Sequence, residues 1–210
     1  MNTESTGKIQ IELWSRIIDN MSSGGALHMA MRHAAYSLKD MVNRPIKVNS
    51  LRIETVHIRQ LDTYAANLEK DVVGVHLFTK DDLPGQAILI LSIDDAMYLA
   101  DWLLEARPGT TTKLGPLEYS ALAETGNVVL SSFLNALAQF SSTSLQPSPP
   151  TVMVDSPAAL LEVAAASLTE PTEELLIIKT DFINVESSLL IQFWLLPNLA
   201  ALSLDQVKMS

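Results

Sequence analysis

Residues Gly115–Phe140, GPLEYSALAETGNVVLSSFLNALAQF, constrain this chain more than any other stretch. Their spacing predicts one long helix. Gly115 serves as N-cap, Pro116 takes the first helical position, where no amide donor is missed, and Glu118 lies in the first turn near the positive end of the helix dipole. Leu122, Val129, Phe133 and Leu137, flanked by Leu130, Leu134 and Ala138, recur at helical spacing and predict a core-facing stripe. Ser120, Glu124, Asn127, Ser131 and Asn135 follow at steps of four, three, four and four, so they predict one polar ridge. The ridge is chemically unusual. A surface ridge ordinarily mixes Lys and Arg with acids, whereas this one holds a single carboxylate, two hydroxyls and two amides.

A helix with so wide an apolar stripe needs a core to lie on, and the composition supplies one. Hydrophobic residues make up 48% of the 210 residues and glycine contributes only 8, so a sizeable core is within reach. Cysteine is absent, which excludes disulfides, thiolate metal sites and cysteine nucleophiles and fits a reducing compartment. The start, MNTESTGKIQIELW, shows no signal-peptide pattern, and the most apolar stretch, Leu189–Leu202, is interrupted by Gln192, Pro197 and Asn198. A soluble, cytoplasmic protein without membrane insertion is expected. A net charge of −10 with no run of Lys and Arg argues against nucleic acid and allows attraction to a basic protein face.

Taken in order, the chain repeats a pattern. Ile9–Val42 is helical in period, with a break expected at Ser22-Ser23-Gly24-Gly25. A strand at Ile46–Val56, a short helix at Ile58–Asn67, strands at Val72–Phe78 and Ala87–Leu91, and a helix from Asp94 to Leu104 follow. Arg107–Lys113, RPGTTTK, reads as a linker. After the long helix come a Pro-rich segment, Ser141–Pro150, a strand at Thr151–Val154, a helix at Pro157–Ser167, strands at Leu175–Phe182 and Ser188–Trp194, and a last helix from Asn198 to Gln206. Each half reads helix, strand, helix, strand, strand, helix. The expectation is one α/β (α+β) domain over 1–210, with pseudo-symmetric halves at about 8–106 and 114–208 joined through 107–113. Their strands would share one antiparallel sheet flanked by the long helices.

Ser120-x-x-x-Glu124-x-x-Asn127, with Ala121-Leu122-Ala123-Glu124-Thr125-Gly126-Asn127, Phe133-Leu134-Asn135-Ala136-Leu137 and Pro149 through Asp155 behind it, resembles the signature of the CheC family of chemotaxis phosphatases. The pseudo-two-fold architecture of that family is the one the repeat suggests. The resemblance implies a phosphatase of a phosphorylated CheY-type response regulator. In it Asn127 orients the attacking water, Glu124 pairs with a lysine of the regulator, and Ser120 and Ser131 belong to the partner-binding face. It implies no cofactor of the chain's own, a Mg²⁺ on the regulator, and a CheD-type deamidase as a further partner. An amide suits the first role, because Asn127 cannot act as a base but can donate and accept hydrogen bonds at once. Phosphoryl transfer depends mostly on positioning and charge stabilisation. Two non-catalytic readings stand beside this one: a chemotaxis adaptor, and a docking element like the flagellar-switch proteins that share the fold.

Members of the family carry the Glu/Asn pair in both long helices or in one. Counting back from Asn43-Arg44-Pro45-Ile46 puts His28 at the asparagine position and Gly25 at the glutamate position; a second register gives Ser15, Asp19 and Ser22. Neither keeps both side chains, so a degenerate first site is expected. The remaining chemistry is thin. His28 and His33 are five residues apart, not the four that would put two metal ligands on one helix face, and His57 and His76 lie elsewhere. No metal site is expected. Neither a Gly-x-Ser-x-Gly elbow nor a phosphate-binding glycine loop occurs. Asp81-Asp82 and Asp94-Asp95 are explained by turn formation and helix capping, and Trp14, Trp102 and Trp194 by packing.

Overall fold

A computed structural model describes residues 12–18, 25–66, 71–79, 84–167 and 173–198. A helical segment at 12–18 comes first, followed by α1 (Ala26–Val42), β1 (Ile46–His57), a 3₁₀ turn (Ile58–Gln60) and α2 (Leu61–Ala65). Next are β2 (Val72–Thr79), β3 (Gly85–Ser92), α3 (Ile93–Leu103), α4 (Pro116–Ser141), β4 (Thr151–Asp155), α5 (Pro157–Ala166), β5 (Glu174–Asn184) and β6 (Leu190–Pro197). The expected elements are present, with their ends adjusted. The break expected at 22–25 lies partly, and the final helix from Asn198 to Gln206 almost wholly, outside the described residues; α1 starts directly after Gly25.

The six strands form one antiparallel sheet in the order β1-β5-β6-β3-β2-β4. This order is its own reverse when β1, β2 and β3 are exchanged for β4, β5 and β6. The pseudo-two-fold axis therefore passes between β3 and β6, which pair centrally. The ends of the two long helices fix the correspondence in residues. Asn43 after α1 and Ser142 after α4 are both left-handed (φ 49 and 55), and each donates its N–H to the carbonyl four residues back, Lys39 and Ala138. The offset between the caps is 99 residues. Thereafter the second half is longer, because the Pro-rich segment runs beside β2, with Ser148 N–H on Phe78 O at 2.8 Å and Phe78 N–H on Ser148 Oγ at 3.0 Å, before β4 begins.

Helices cover both faces of the sheet, so the central strands are buried on both sides and alternate between two cores. Val73, Val75 and Leu77 of β2, Leu89 and Leu91 of β3, and Phe193 and Leu195 of β6 face α1 and α4; the Phe133 ring of α4 packs against that of Phe193, tilted by 53° with centroids 4.8 Å apart. Ile88, Ile90, Ile177, Trp194 and Leu196 face Leu160, Leu161 and Ala164 of α5 and Leu61 of α2. On this second face Lys179 lies 4.3 Å from the ring centres of both Tyr64 and Trp194 and 3.5 Å from Glu54, so a largely buried cation is matched by a carboxylate and two π faces.

The segment expected as a linker is held to the body. Asp101, fully buried at the end of α3, accepts hydrogen bonds from the N–H groups of Gly109, Thr110 and Thr111 and from both threonine hydroxyls, at 2.6–3.1 Å. Burial pushes its carboxyl up, but the bonds from Thr111, Gly109 and Thr110 outweigh that and hold it below the usual carboxylate range. Gly109 supplies the positive φ (84) that turns the chain inside this anchor.

Candidate functional site

The helix carrying the polar ridge is capped as its sequence predicts: Pro116 opens it, and Glu118 folds back so that its Oε2 accepts the Gly115 N–H at 2.9 Å. Leu122, Val129, Leu130, Phe133, Leu134 and Leu137 are all buried, the stripe expected from the spacing. On the opposite side Ser120, Glu124 and Asn135 are exposed and Asn127 and Ser131 half-exposed, so all five ridge positions reach solvent. Glu124 and Asn127 stand about 4.5 Å apart along the axis, less than one turn. Neither side chain takes a hydrogen bond or ion pair from the described residues, so both are uncommitted.

Between them lie two residues that fix the helix. Thr125 is buried and its hydroxyl bonds back to Ala121 O at 2.9 Å. Gly126 faces β2 so closely that a Cβ there would overlap Val75. Glycine is therefore required for packing, and the two outward side chains sit on a turn held directly against β2. A site built on such a turn has little freedom to drift.

The ridge holds one residue that sequence reasoning did not single out. Leu117, in the first turn and two helical turns before Glu124, is 63% exposed. A leucine outside the core stripe at 122, 129, 133 and 137 was the available signal. The ridge thus begins with an exposed apolar side chain before its polar residues.

The counterpart on α1 is different in kind. The 99-residue offset pairs Asn127 with His28 and Glu124 with Gly25, the first of the two registers. Gly25 is the extended N-cap of α1 (φ −71, ψ 160), so the turn that would carry an acid there is not helical, whereas Glu124 lies well inside α4. His28 is half-exposed. In the other register, Ser15 lies in the segment 12–18, and Asp19 and Ser22 fall outside the described residues. Further along α1, Ser131 corresponds to Arg32, Asn135 to Tyr36 and Ala138 to Lys39, so this ridge is basic and aromatic. The helices touch near the axis, where Ser37 Oγ meets Ser132 Oγ at 2.7 Å.

Comparison with known proteins bears on the same segment. Residues 117–154 match the CheC-like family. The chain is similar to the CheY-P phosphatase CheC of Bacillus subtilis (strain 168), 24% identical over 154 residues that make up 72% of this chain and 74% of that protein. Among solved structures it is similar to Thermotoga maritima FliY, with TM-score 0.62 and 19% identity over 99% of this chain and 94% of that one. It is also similar to the CheX–CheY–BeF₃–Mg²⁺ complex from Borrelia burgdorferi, with TM-score 0.53 and 15% identity, covering 81% of this chain and 97% of that one. The chain therefore has the CheC-like fold, and its segment 117–154, which carries Glu124 and Asn127, is CheC-like in sequence as well.

Proposed function

We propose that this chain hydrolyses the aspartyl phosphate of a CheY-type response regulator through the ridge of α4. The observation that carries the reading is the pair Glu124 and Asn127: solvent-facing, less than one turn apart, uncommitted within the described residues, and anchored through Gly126. In the docked complex the Asn127 amide accepts a hydrogen bond from the attacking water with its oxygen and donates to the phosphoryl group with its nitrogen. The water oxygen forms the new bond to phosphorus, the bond from phosphorus to the aspartyl oxygen breaks, and a free carboxylate and inorganic phosphate result. Mg²⁺ held by the regulator neutralises charge on the phosphoryl oxygens. Glu124 pairs with a lysine beside the acyl phosphate and sets the register of docking, while Leu117, Ser120 and Ser131 contact the surrounding face.

This division explains why the chain has no complete catalytic centre on its ridge. It supplies the positioned water, and the regulator supplies metal, phosphate and lysine. The test is decay of a phosphorylated CheY-type receiver domain with and without the protein. Faster decay supports hydrolysis; tight binding without faster decay supports the docking reading instead.

A further inference from the structure

Folding assembles a basic groove that the linear sequence does not show. Between α1 and the start of β1 lies an open groove of about 500 Å³, lined by Arg32, Tyr36, Lys39 and Lys47 over Ile46 and Val48. In a chain with 14 basic and 24 acidic residues, no acid lines it. Asp40, the one acid of α1, is not part of the wall. The ion pairs within 4.0 Å among the described residues are Arg52 with Asp181 and Lys179 with Glu54, so the three cations of the groove are unmatched. Tyr36 is 60% exposed, with Lys39 Nζ 5.1 Å from its ring centre.

We propose that this groove docks an acidic linear segment of a partner protein, independently of the α4 ridge. Charge complementarity names the occupant's sign, and spacing names its form. Arg32 and Lys39 are about 10 Å apart along the helix axis, whereas an ion pair closes within about 4 Å. A single phosphate or carboxylate also carries fewer charges than the three cations of the groove, so it leaves the groove incompletely matched. Alternate side chains of an extended segment lie about 6.6 Å apart on one face, so a short run with spaced carboxylates reaches all three cations. An apolar residue between them finds Tyr36, Ile46 and Val48. The overall charge of −10 does not oppose this at contact, because charges beyond about 8 Å are largely screened at physiological salt.

The probe is a short labelled peptide with Glu at alternate positions around a central Leu, titrated by fluorescence anisotropy. The groove variant is Arg32→Glu/Lys47→Glu; both side chains are exposed, and circular dichroism checks that it folds. Binding that weakens at least about tenfold in this variant, is unchanged in Asn127→Ala and is absent for the Gln counterpart of the peptide supports the proposal. Equal binding by wild type and groove variant overturns it, as does loss of binding in Asn127→Ala. So does a groove-dependent association with phosphatidylserine vesicles in the absence of peptide binding, which would make the occupant a lipid surface. Regulator dephosphorylation by the groove variant should match wild type, so failure here is separable from failure of the hydrolytic reading.

Discussion

Gly126 and Val75 are packed so that no side chain fits between them: a Cβ on Gly126 would occupy the space of Val75 Cγ1. The contact ties the turn bearing Glu124 and Asn127 to the sheet and makes one small residue a structural condition of the site. Gly126→Val is expected to lower stability by about 3 kcal/mol, because overpacking outweighs the gain in helix propensity. Urea unfolding followed by circular dichroism checks it; an unchanged midpoint would mean that α4 is not held at this point.

Asp101 supports a second stability prediction. Asp101→Ala strands the N–H groups of Gly109, Thr110 and Thr111 and should cost about 3 kcal/mol. Because its folded pKa is lowered, the stabilisation is present above the ordinary carboxylate range and is lost as pH falls through the depressed value. Limited proteolysis should cut the variant faster at 107–113 than the wild type.

His76 sets the response to mild acid. It is buried between strands, its Nε2 2.8 Å from Gln86 Oε1, while Gln86 Nε2 donates to Ala164 O at 2.7 Å. Burial lowers its pKa, and the Gln86 bond offsets this only in part. The unfolded chain therefore binds the proton first as pH falls below about 6.5, and stability drops with a slope of at most about 1.4 kcal/mol per pH unit. Thermal melts at neutral and mildly acidic pH should show the loss in wild type and a smaller one in His76→Gln.

Docking should depend on the ridge's charge and on its apolar start. Glu124→Lys is expected to weaken binding to a beryllofluoride-activated receiver domain by several kcal/mol, roughly, since a cation would then face the regulator's lysine. Leu117→Asp should weaken it at least about tenfold through lost apolar contact. Isothermal titration measures both, and unchanged affinity in either variant removes that residue from the interface.

The parts of the fold set by local chemistry were legible in the sequence. Pro116 and Glu118 mark the start of α4, its period marks the buried stripe, and the repeated element order marks the paired halves of the sheet. What depends on distant contacts was not. RPGTTTK looks like a free linker until Asp101 is brought beneath it. The strand expected from Ser188 starts at Leu190, because Asn184 N–H bonds to Leu189 O and Ser187 Oγ accepts the Leu189 N–H, holding 185–189 in a turn. Arg32, Lys39 and Lys47 form no run in the sequence, and only the packing of α1 beside β1 gathers them. The polar ridge was legible because helical spacing alone aligns it; Leu117 was passed over because one exposed leucine carries no period.

The two ridges also predict an asymmetry. His28→Ala should leave regulator dephosphorylation nearly unchanged, because Gly25 at the cap of α1 offers no carboxylate to complete a first site. Activity that survives Asn127→Ala and vanishes only when His28→Ala is added would establish a working first site.

The most direct test is the rate at which a phosphorylated CheY-type regulator loses phosphate in the presence of wild type and of Asn127→Ala. Asn127 is half-exposed and uncommitted, so the substitution should leave the fold intact, within about 0.5 kcal/mol of wild type. The account predicts faster decay with wild type and decay at the regulator's own rate with Asn127→Ala. A folded Asn127→Ala that matched the wild-type rate would contradict it.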